Sequence, residues 1–217
     1  MRVTAIKEQK RRNRVNIYLD NKFAFGLSKE ALVDFALFEG KELTEAETDR
    51  ILEQDQKVRA LQKCFRWLGI RARSEKELEK KLREKGFAPK IIQQTIQRIK
   101  ELGYLNDEKF ACLFIEMRKA GRPKGKFAIQ RDLKQKGIDE EIIKKTLRKF
   151  YPENEEIEKA LNLAKKKVKT YGQIPQQKIY QKLANFLAGR GFGWPIIKKV
   201  LDKILKSETI VHLKNRP

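Results

Sequence analysis

The sequence predicts a mainly α protein: three tandem three-helix, helix-turn-helix-like repeats in an elongated array, preceded by a small β-rich N-terminal ribbon with a helix. Three observations predict it. A phrase recurs, as LREKGFAPKII from Leu82, LKQKGIDEEII from Leu133 and LAGRGFGWPII from Leu187. From about Thr44 onward, apolar residues fall at helical spacing nearly everywhere. Before that point the chain carries short runs rich in β-branched and aromatic residues. The expected order is a ribbon and helix over 1–43, a long helix with repeat 1 over 44–104, repeat 2 over 105–152, repeat 3 over 153–206, and a polar tail over 207–217.

The first strands are VTAI (Val3 to Ile6), RVNIYL (Arg14 to Leu19) and KFAFGL (Lys22 to Leu27), the last two joined by an Asp20-Asn21 turn. Val15, Ile17 and Leu19 alternate with Asn16, Tyr18 and Asp20, as a half-buried strand requires. So small a ribbon is marginal alone, and the candidate to cover it is a helix capped by Ser28 and carrying Leu32, Phe35 and Ala36.

Thr44 and Glu47 form a capping box that opens a long helix, with Leu61, Cys64, Phe65 and Leu68 on one face and Gly69 at its end. Ser74 and Glu77 open a second helix in the same way, turning Leu78 and Leu82 inward and stopping at Gly86. Pro89 begins a third, with Ile92, Ile96 and Ile99 on its stripe, which Leu102-Gly103 closes. Repeat 2 follows the same plan. Asn106 caps a helix bearing Phe110, Ala111, Phe114 and Met117; a loop RKAGRPKGK leads to a helix with Ile129 and Leu133 that ends at Gly137; Asp139 caps a third with Ile143, Leu147 and Phe150, stopped by Pro152. In repeat 3, Ile157, Leu161, Ala164 and Val168 mark the first helix, Ile179, Leu183 and Leu187 the second, and Ile197, Val200 and Ile204 the third.

The repeats align without any other sequence. Leu82, Leu133 and Leu187 correspond, as do Gly86, Gly137 and Gly191, then Phe87, Ile138 and Phe192, and finally the pairs Ile91-Ile92, Ile142-Ile143 and Ile196-Ile197. A glycine at a helix end takes the left-handed conformation, the next apolar residue folds back, and a second helix leaves at a steep angle. Units this small bury little surface alone, so stacking is the expected remedy.

Charge sets the class of partner. The 217 residues carry 51 Lys and Arg against 29 Asp and Glu, a formal net charge of +22. A solvated surface explains many charges but not that imbalance, which favours nucleic acid or a nucleoprotein partner. Basic runs occur as KRRNR (Lys10 to Arg14), RAR (Arg71 to Arg73), KKLREK (Lys80 to Lys85), RKAGRPKGK (Arg118 to Lys126) and KKKVK (Lys165 to Lys169), several of them between the first and second helices of a repeat. The candidate interface is Arg71, Arg73, Lys81, Arg83, Lys85, Arg118, Arg122, Lys124, Lys126, Arg131 and Lys134. No Asn or Gln cluster stands at the start of a third helix to read base edges.

Enzyme chemistry is not expected. GRPKGKFA from Gly121 is one residue short of a phosphate loop and puts Phe127 where Ser or Thr should bind magnesium; GRGFGW from Gly189 has Trp194 in place of a fingerprint glycine. His212 is the one histidine and sits in the polar tail, while carboxylates cluster in first turns of helices, where the dipole favours them. Cys64 and Cys112 lie on apolar stripes as expected buried free thiols, consistent with a reducing cytoplasm. Trp67 and Trp194 stand at core-like positions and are expected to be buried. No cofactor, no metal and no membrane span is expected, and nothing marks a dimer, so a monomer is the expectation.

RARSEKELEKKLREKGF, IIQQTIQRIKELGYLNDEKFACLFIEMR and GKFAIQRDLKQKGIDEEII together resemble the RecX family of bacterial recombination regulators. The most specific matches are Arg71, Ser74, Glu77, Leu78, Leu82 and Gly86; then Leu102, Gly103, Tyr104, Leu105, Asp107 and Phe110; then Arg118, Gly125 with Ile129, Leu133, Gly137 and Ile138. The resemblance is strong over 57–150 and weaker in the third repeat. It implies a modulator of the RecA recombinase in homologous recombination, DNA repair and the SOS response. Such a protein lies in the groove of the RecA–single-stranded DNA filament and restrains ATP hydrolysis, strand exchange and coprotease activity. Its expected partners are the filament and DNA, single-stranded and double-stranded, with Arg118, Arg122, Lys124 and Lys126 central. The competing expectation is an autonomous helix-turn-helix DNA-binding protein, transcriptional or architectural.

Overall fold

Alternation of Val15, Ile17 and Leu19 with polar neighbours places one face of a strand against a core, and β2 (Arg14–Leu19) buries those three. It is the centre of an antiparallel sheet with β1 (Val3–Glu8) and β3 (Lys22–Ser28), in the order β1-β2-β3. Asp20 and Asn21 both take positive φ, 49° and 64°, as the tight turn between β2 and β3 demands. β1 runs two residues further than expected, to Glu8, because Lys7 and Glu8 continue the ladder with Asn16 and Val15. The computed structural model describes residues 1–10, 13–172 and 174–206. Arg11 and Arg12 of the first basic run and His212 of the tail lie outside them.

Ser28 accepts the Ala31 N–H at 3.2 Å and caps α1 (Lys29–Asp34). The helix ends before Phe35; Ala36 has φ 44°, which no right-handed helix tolerates, so its place on a helical stripe is corrected. Ala31 is the buried residue of α1, with Leu32 and Phe35 half-buried beside it. α2 (Glu45–Ile70) opens on the Thr44–Glu47 capping box, in which Thr44 Oγ1 accepts the Glu47 N–H at 3.1 Å and Glu47 accepts the Thr44 N–H at 2.8 Å. It does not stop at Gly69 but continues through Ile70, Gly69 lying in the helix with space around it. Its first half carries buried Asp55, which accepts the Ser28 N–H at 3.0 Å and faces Arg14 and Arg59.

The second half of α2 packs with α3 (Glu75–Glu84) and α4 (Pro89–Glu101) as repeat 1, around Ala60, Cys64, Leu78, Leu82, Ile96 and Ile99. Phe65, expected inside, is exposed and meets the edge of Tyr104 at 5.1 Å between ring centroids. Repeat 2 comprises α5 (Asp107–Ala120), α6 (Lys126–Gln135) and α7 (Glu140–Phe150) around Phe110, Phe114, Ile115, Ile129, Leu133 and Ile143. Met117, expected inward, is exposed; Ile115 takes the buried place, because the stripe follows Ala111 at the i+4 step. Cys112 is half-buried, one residue off that stripe. Repeat 3 comprises α8 (Glu153–Val168), α9 (Gln176–Gly189) and α10 (Trp194–Lys206). Its first helix centres its buried stripe on Ala160, Ala164 and Val168, with Ile157 and Leu161 half-buried at the margin.

The repeated phrase is one helix-ending motif built three times. Phe87 N–H donates to Leu82 O at 3.3 Å, Ile138 N–H to Leu133 O at 3.1 Å and Phe192 N–H to Leu187 O at 3.2 Å. The glycine before each donates three residues back, to Arg83, Lys134 and Ala188, and has φ of 78°, 82° and 80°. These are paired Schellman bonds, closed by the contact between the leucine and the residue after glycine. Leu82, Leu133 and Leu187 are fully buried.

By contacts the chain forms two units. One contains residues 1–73 and 78–105; the other contains residues 74–77 with those from 106 onward.

Candidate nucleic-acid interface

In the first unit, Arg71 closes α2 and donates to Ala72 O at 2.8 Å. Arg73 Nε donates to Trp67 O at 3.3 Å, and the Lys81 ammonium lies 5.1 Å from the Trp67 ring centroid. Trp67 is thereby held half-buried against the core of repeat 1. Arg83 and Lys85 project into solvent from the last turn of α3 and the residue beyond it, where they complement the helix dipole.

The basic loop of repeat 2 is shorter than its sequence suggested. Arg118, Lys119 and Ala120 still belong to α5, Lys126 begins α6, and Gly121–Gly125 alone span the gap. Asp132 gathers two of its cations, Lys124 at 2.8 Å and Arg118 at 3.4 Å, and the Arg118 guanidinium lies 4.8 Å from the Phe114 ring centroid. Lys126 donates its backbone N–H to Glu156 at 2.8 Å, with its ammonium 3.6 Å from the same carboxylate. Lys134 pairs with Glu140 at 3.0 Å on the surface. Arg122 and Arg131 are exposed and make no ion pair among the described residues. Of the eleven sequence-predicted cations, Arg118, Lys124 and Lys126 brace the fold, Arg71, Arg73, Lys81 and Lys134 make local contacts, and Arg83, Lys85, Arg122 and Arg131 are turned out into solvent.

The second unit also contains two joints of one design. Ser74 Oγ donates to Lys136 O at 2.7 Å and accepts the Glu77 N–H at 3.3 Å, while Glu77 pairs with Lys136. This sets the start of a second helix on a Schellman turn; a Cβ on Gly137 would lie 2.5 Å from Lys76 Cδ. The next joint repeats it. Gly125 N–H donates to Arg190 O at 3.0 Å and Phe127 N–H to Gly191 O at 3.1 Å, and a Cβ on Gly125 would lie 2.2 Å from Gly191 O.

Behind the second joint is a buried charge that sequence reading missed. Lys119 is 8% exposed and donates to Phe150 O at 2.6 Å, Glu116 at 2.8 Å and Glu155 at 3.0 Å. Desolvation pulls its pKa down, but the bonds to Glu116 and Glu155 outweigh this and raise it. Burial raises Glu156 despite its bonds from Lys126. Burial also raises Tyr151, helped by Glu156 and Glu155, and its hydroxyl has no hydrogen-bond partner among the described residues. The signal was available: Lys119 continues the Ala111–Ile115 stripe one i+4 step further.

Two aromatic residues at helix starts are exposed, one of them against expectation. Trp194, expected in the core, is 58% exposed, because it is the first residue of α10 and the inward stripe begins only at Ile196. Phe127, in the first turn of α6, is 64% exposed. In the KKKVK run, Lys167 lies between the rings of Tyr171 and Phe186, at 5.5 and 5.8 Å from their centroids. Cys64 is no reactive thiol, since burial pushes its pKa up to about 11. Among the described residues no group of His, Cys, Asp and Glu could hold a metal ion, and no helix is long and apolar enough to cross a membrane.

Comparison with known proteins finds four matching family domains in chain order. They are the "Regulatory protein RecX N-terminal domain" over residues 1–44, and "RecX" first, second and third three-helix domains over 60–98, 106–147 and 153–201. The Regulatory protein RecX of Clostridioides difficile is 34% identical over 204 residues, 94% of this chain and 95% of that protein. That of Bacillus subtilis is 32% identical over 203 residues, covering 93% of this chain and 76% of its own. Of solved structures, "Crystal structure of regulatory protein RecX" aligns with a TM-score of 0.69 at 27% identity, covering 93% of this chain and 98% of that one. The crystal structure of RecX from Lactobacillus salivarius aligns with a TM-score of 0.65 at 25% identity, covering 69% and 97%.

Proposed function

The chain belongs to the RecX family of regulatory proteins, and from that premise we propose that it restrains the RecA recombinase by binding in the groove of the RecA–single-stranded DNA filament. The observation that carries this reading is the tiling of the chain by all four family domains in order. Elementary electrostatics agrees with it. A formal charge of +22 costs self-repulsion that a polyanionic filament relieves. Within this reading, Arg71, Arg73, Lys81, Arg83, Lys85, Arg122, Arg131 and Lys134 meet filament DNA or acidic recombinase surface, with Arg118, Lys124 and Lys126 holding their loop in shape. The protein is a regulator with no catalytic step of its own, acting on a cytoplasmic filament.

The test is RecA ATP hydrolysis on single-stranded DNA with this protein titrated in. Hydrolysis should fall at protein well below the recombinase concentration. Undiminished hydrolysis at a several-fold molar excess over RecA sinks the proposal. The helix–glycine–helix joints favour a second reading, an autonomous DNA-binding protein. It requires a strong preference for one duplex sequence at physiological salt, which competition with unrelated duplexes would reveal.

A further inference from the structure

Four aromatic residues of the three repeats are exposed; Phe65 and Tyr104 meet edge to face, which leaves Phe127 and Trp194 to be explained. Both belong to the second unit and to one place in it. Phe127 N–H donates to Gly191 O at 3.1 Å, and a Cβ on Gly193 would lie 2.6 Å from Phe127 Cε2. The Phe127 ring therefore rests on the bare backbone of the residue that precedes Trp194. Each ring opens a helix, and each is followed one turn later by an exposed cation, Arg131 after Phe127 and Lys198 after Trp194. Neither cation has an ion pair among the described residues, and Arg122 stands free in the adjoining loop.

We infer that Phe127 and Trp194 are stacking platforms for unpaired bases of a single strand, whose phosphates run past Arg122, Arg131 and Lys198. Large exposed aromatic faces beside free cations suit a ligand that alternates flat apolar rings with anionic links. A wholly apolar protein partner would leave those three cations unpaired, and phosphates alone would leave two rings in water. The Phe127 ring is also pre-set by its contact with Gly193, and the backbone at Trp194 by Pro195 next to it and by the Ile197 N–H bond to Gly193 O at 2.9 Å. Stacking on either ring reads no sequence, in keeping with the lack of an Asn or Gln cluster at the start of a third helix. This inference rests on the filament reading in placing the protein beside single-stranded DNA, and it adds the moiety recognised.

The experiment compares binding of a labelled oligothymidylate with an abasic oligomer of equal length and charge, by fluorescence anisotropy at physiological salt. The intact protein should bind the thymidylate about 100-fold more tightly, on the order of tenfold for each stacked base. Phe127→Ala with Trp194→Ala should bring the two oligomers together while leaving the abasic affinity unchanged. Phe127→Tyr with Trp194→Phe keeps both rings and should keep the preference, which separates stacking from a folding defect. Equal binding of both oligomers by the intact protein overturns the inference. So does a double alanine variant that loses inhibition of RecA but keeps its preference for bases, since the rings would then face protein. RecA ATP hydrolysis measured alongside separates the two claims: inhibition without base preference defeats the platforms alone, and base preference without inhibition defeats the filament reading alone.

Discussion

Replacing the equivalent glycines Gly86, Gly137 and Gly191 by alanine separates what a helix joint costs by itself from what it costs under a neighbour. All three have nearly the same φ, 78°, 82° and 80°, and make the same pair of turn bonds. Alanine in that conformation is strained by about 1–2 kcal/mol. At Gly86 a Cβ meets nothing within 4 Å, so Gly86→Ala should cost only that strain. At Gly191 the Cβ falls 2.3 Å from Ala128 Cβ and 2.5 Å from Ala128 N, in the backbone of α6. Overpacking of that kind adds about 1–3 kcal/mol, so Gly191→Ala should cost roughly 2–5 kcal/mol. At Gly137 the obstacle is the Lys76 side chain at 2.5–2.6 Å, whose far end can swing aside but whose Cβ cannot, so Gly137→Ala should fall between. Native-state hydrogen exchange, followed on peptides containing Phe87, Ile138 and Phe192, reads each joint separately. Gly86→Ala should speed local exchange by about 5–30-fold and Gly191→Ala by more than that. Equal effects at Gly86 and Gly191 would refute the idea that the second-helix start docks on the turn.

The buried ammonium gives a second case: Lys119→Met leaves Glu155 and the Phe150 carbonyl without a donor, and should destabilise the second unit by about 3 kcal/mol in urea titrations followed by circular dichroism. Glu156 has a raised pKa in the folded chain, so its contribution is full below the ordinary carboxylate pKa and declines as pH climbs through the raised value. Glu156→Gln should therefore flatten the loss of thermal stability as pH rises above the ordinary carboxylate value of 4.5; an unchanged slope would assign that loss elsewhere. With its pKa near 11, Cys64 is about one-thousandth ionised at pH 8, so an aromatic disulfide reagent should label half-buried Cys112 in the folded protein and reach Cys64 only after denaturation. Arg122→Glu with Arg131→Glu should weaken filament binding and reduce its salt dependence without changing the melting temperature, because neither cation braces the fold. Adding Lys124→Glu should lower the melting temperature as well, through Asp132.

Joints and caps were legible because their chemistry is local. Ser28, Thr44, Asn106 and Asp139 each cap the helix assigned to them, since a short polar side chain beside free N–H groups has few other uses. The Leu–Gly–apolar triplets were legible for the same reason. Helical periodicity located the buried faces but not their edges: Phe65, Met117 and Trp194 each sit just off a correctly placed stripe and emerge into solvent. Gly69 misled because a single glycine in a long packed helix costs only about 1 kcal/mol, which the rest of α2 supplies. The roles of the cations were the least legible. Lys124 and Arg122 read alike in AGRPKGK, yet one faces Asp132 and the other solvent; Lys126 depends on Glu156, thirty residues on.

The joints also distinguish the third repeat from the first two. In α3 and α6 the second helix is ten residues long and begins at the docking point, where Ser74 or Gly125 bonds to the carbonyl before the next glycine of the series, Lys136 or Arg190. The corresponding helix of repeat 3, α9, is fourteen residues long. It starts a turn earlier, at a Pro175 cap that has no N–H to give, and the position matching Ser74 and Gly125 is Ile179, inside the helix and buried. Repeat 3 thus has the glycine turn that receives a neighbour but lacks the end that would dock on another. One extra helical turn and one proline remove that end. Shortening α9 at its start and restoring Ser at Ile179 would not rebuild a docking end, because Ile179 belongs to the core of repeat 3; the stop is part of that repeat's own stability.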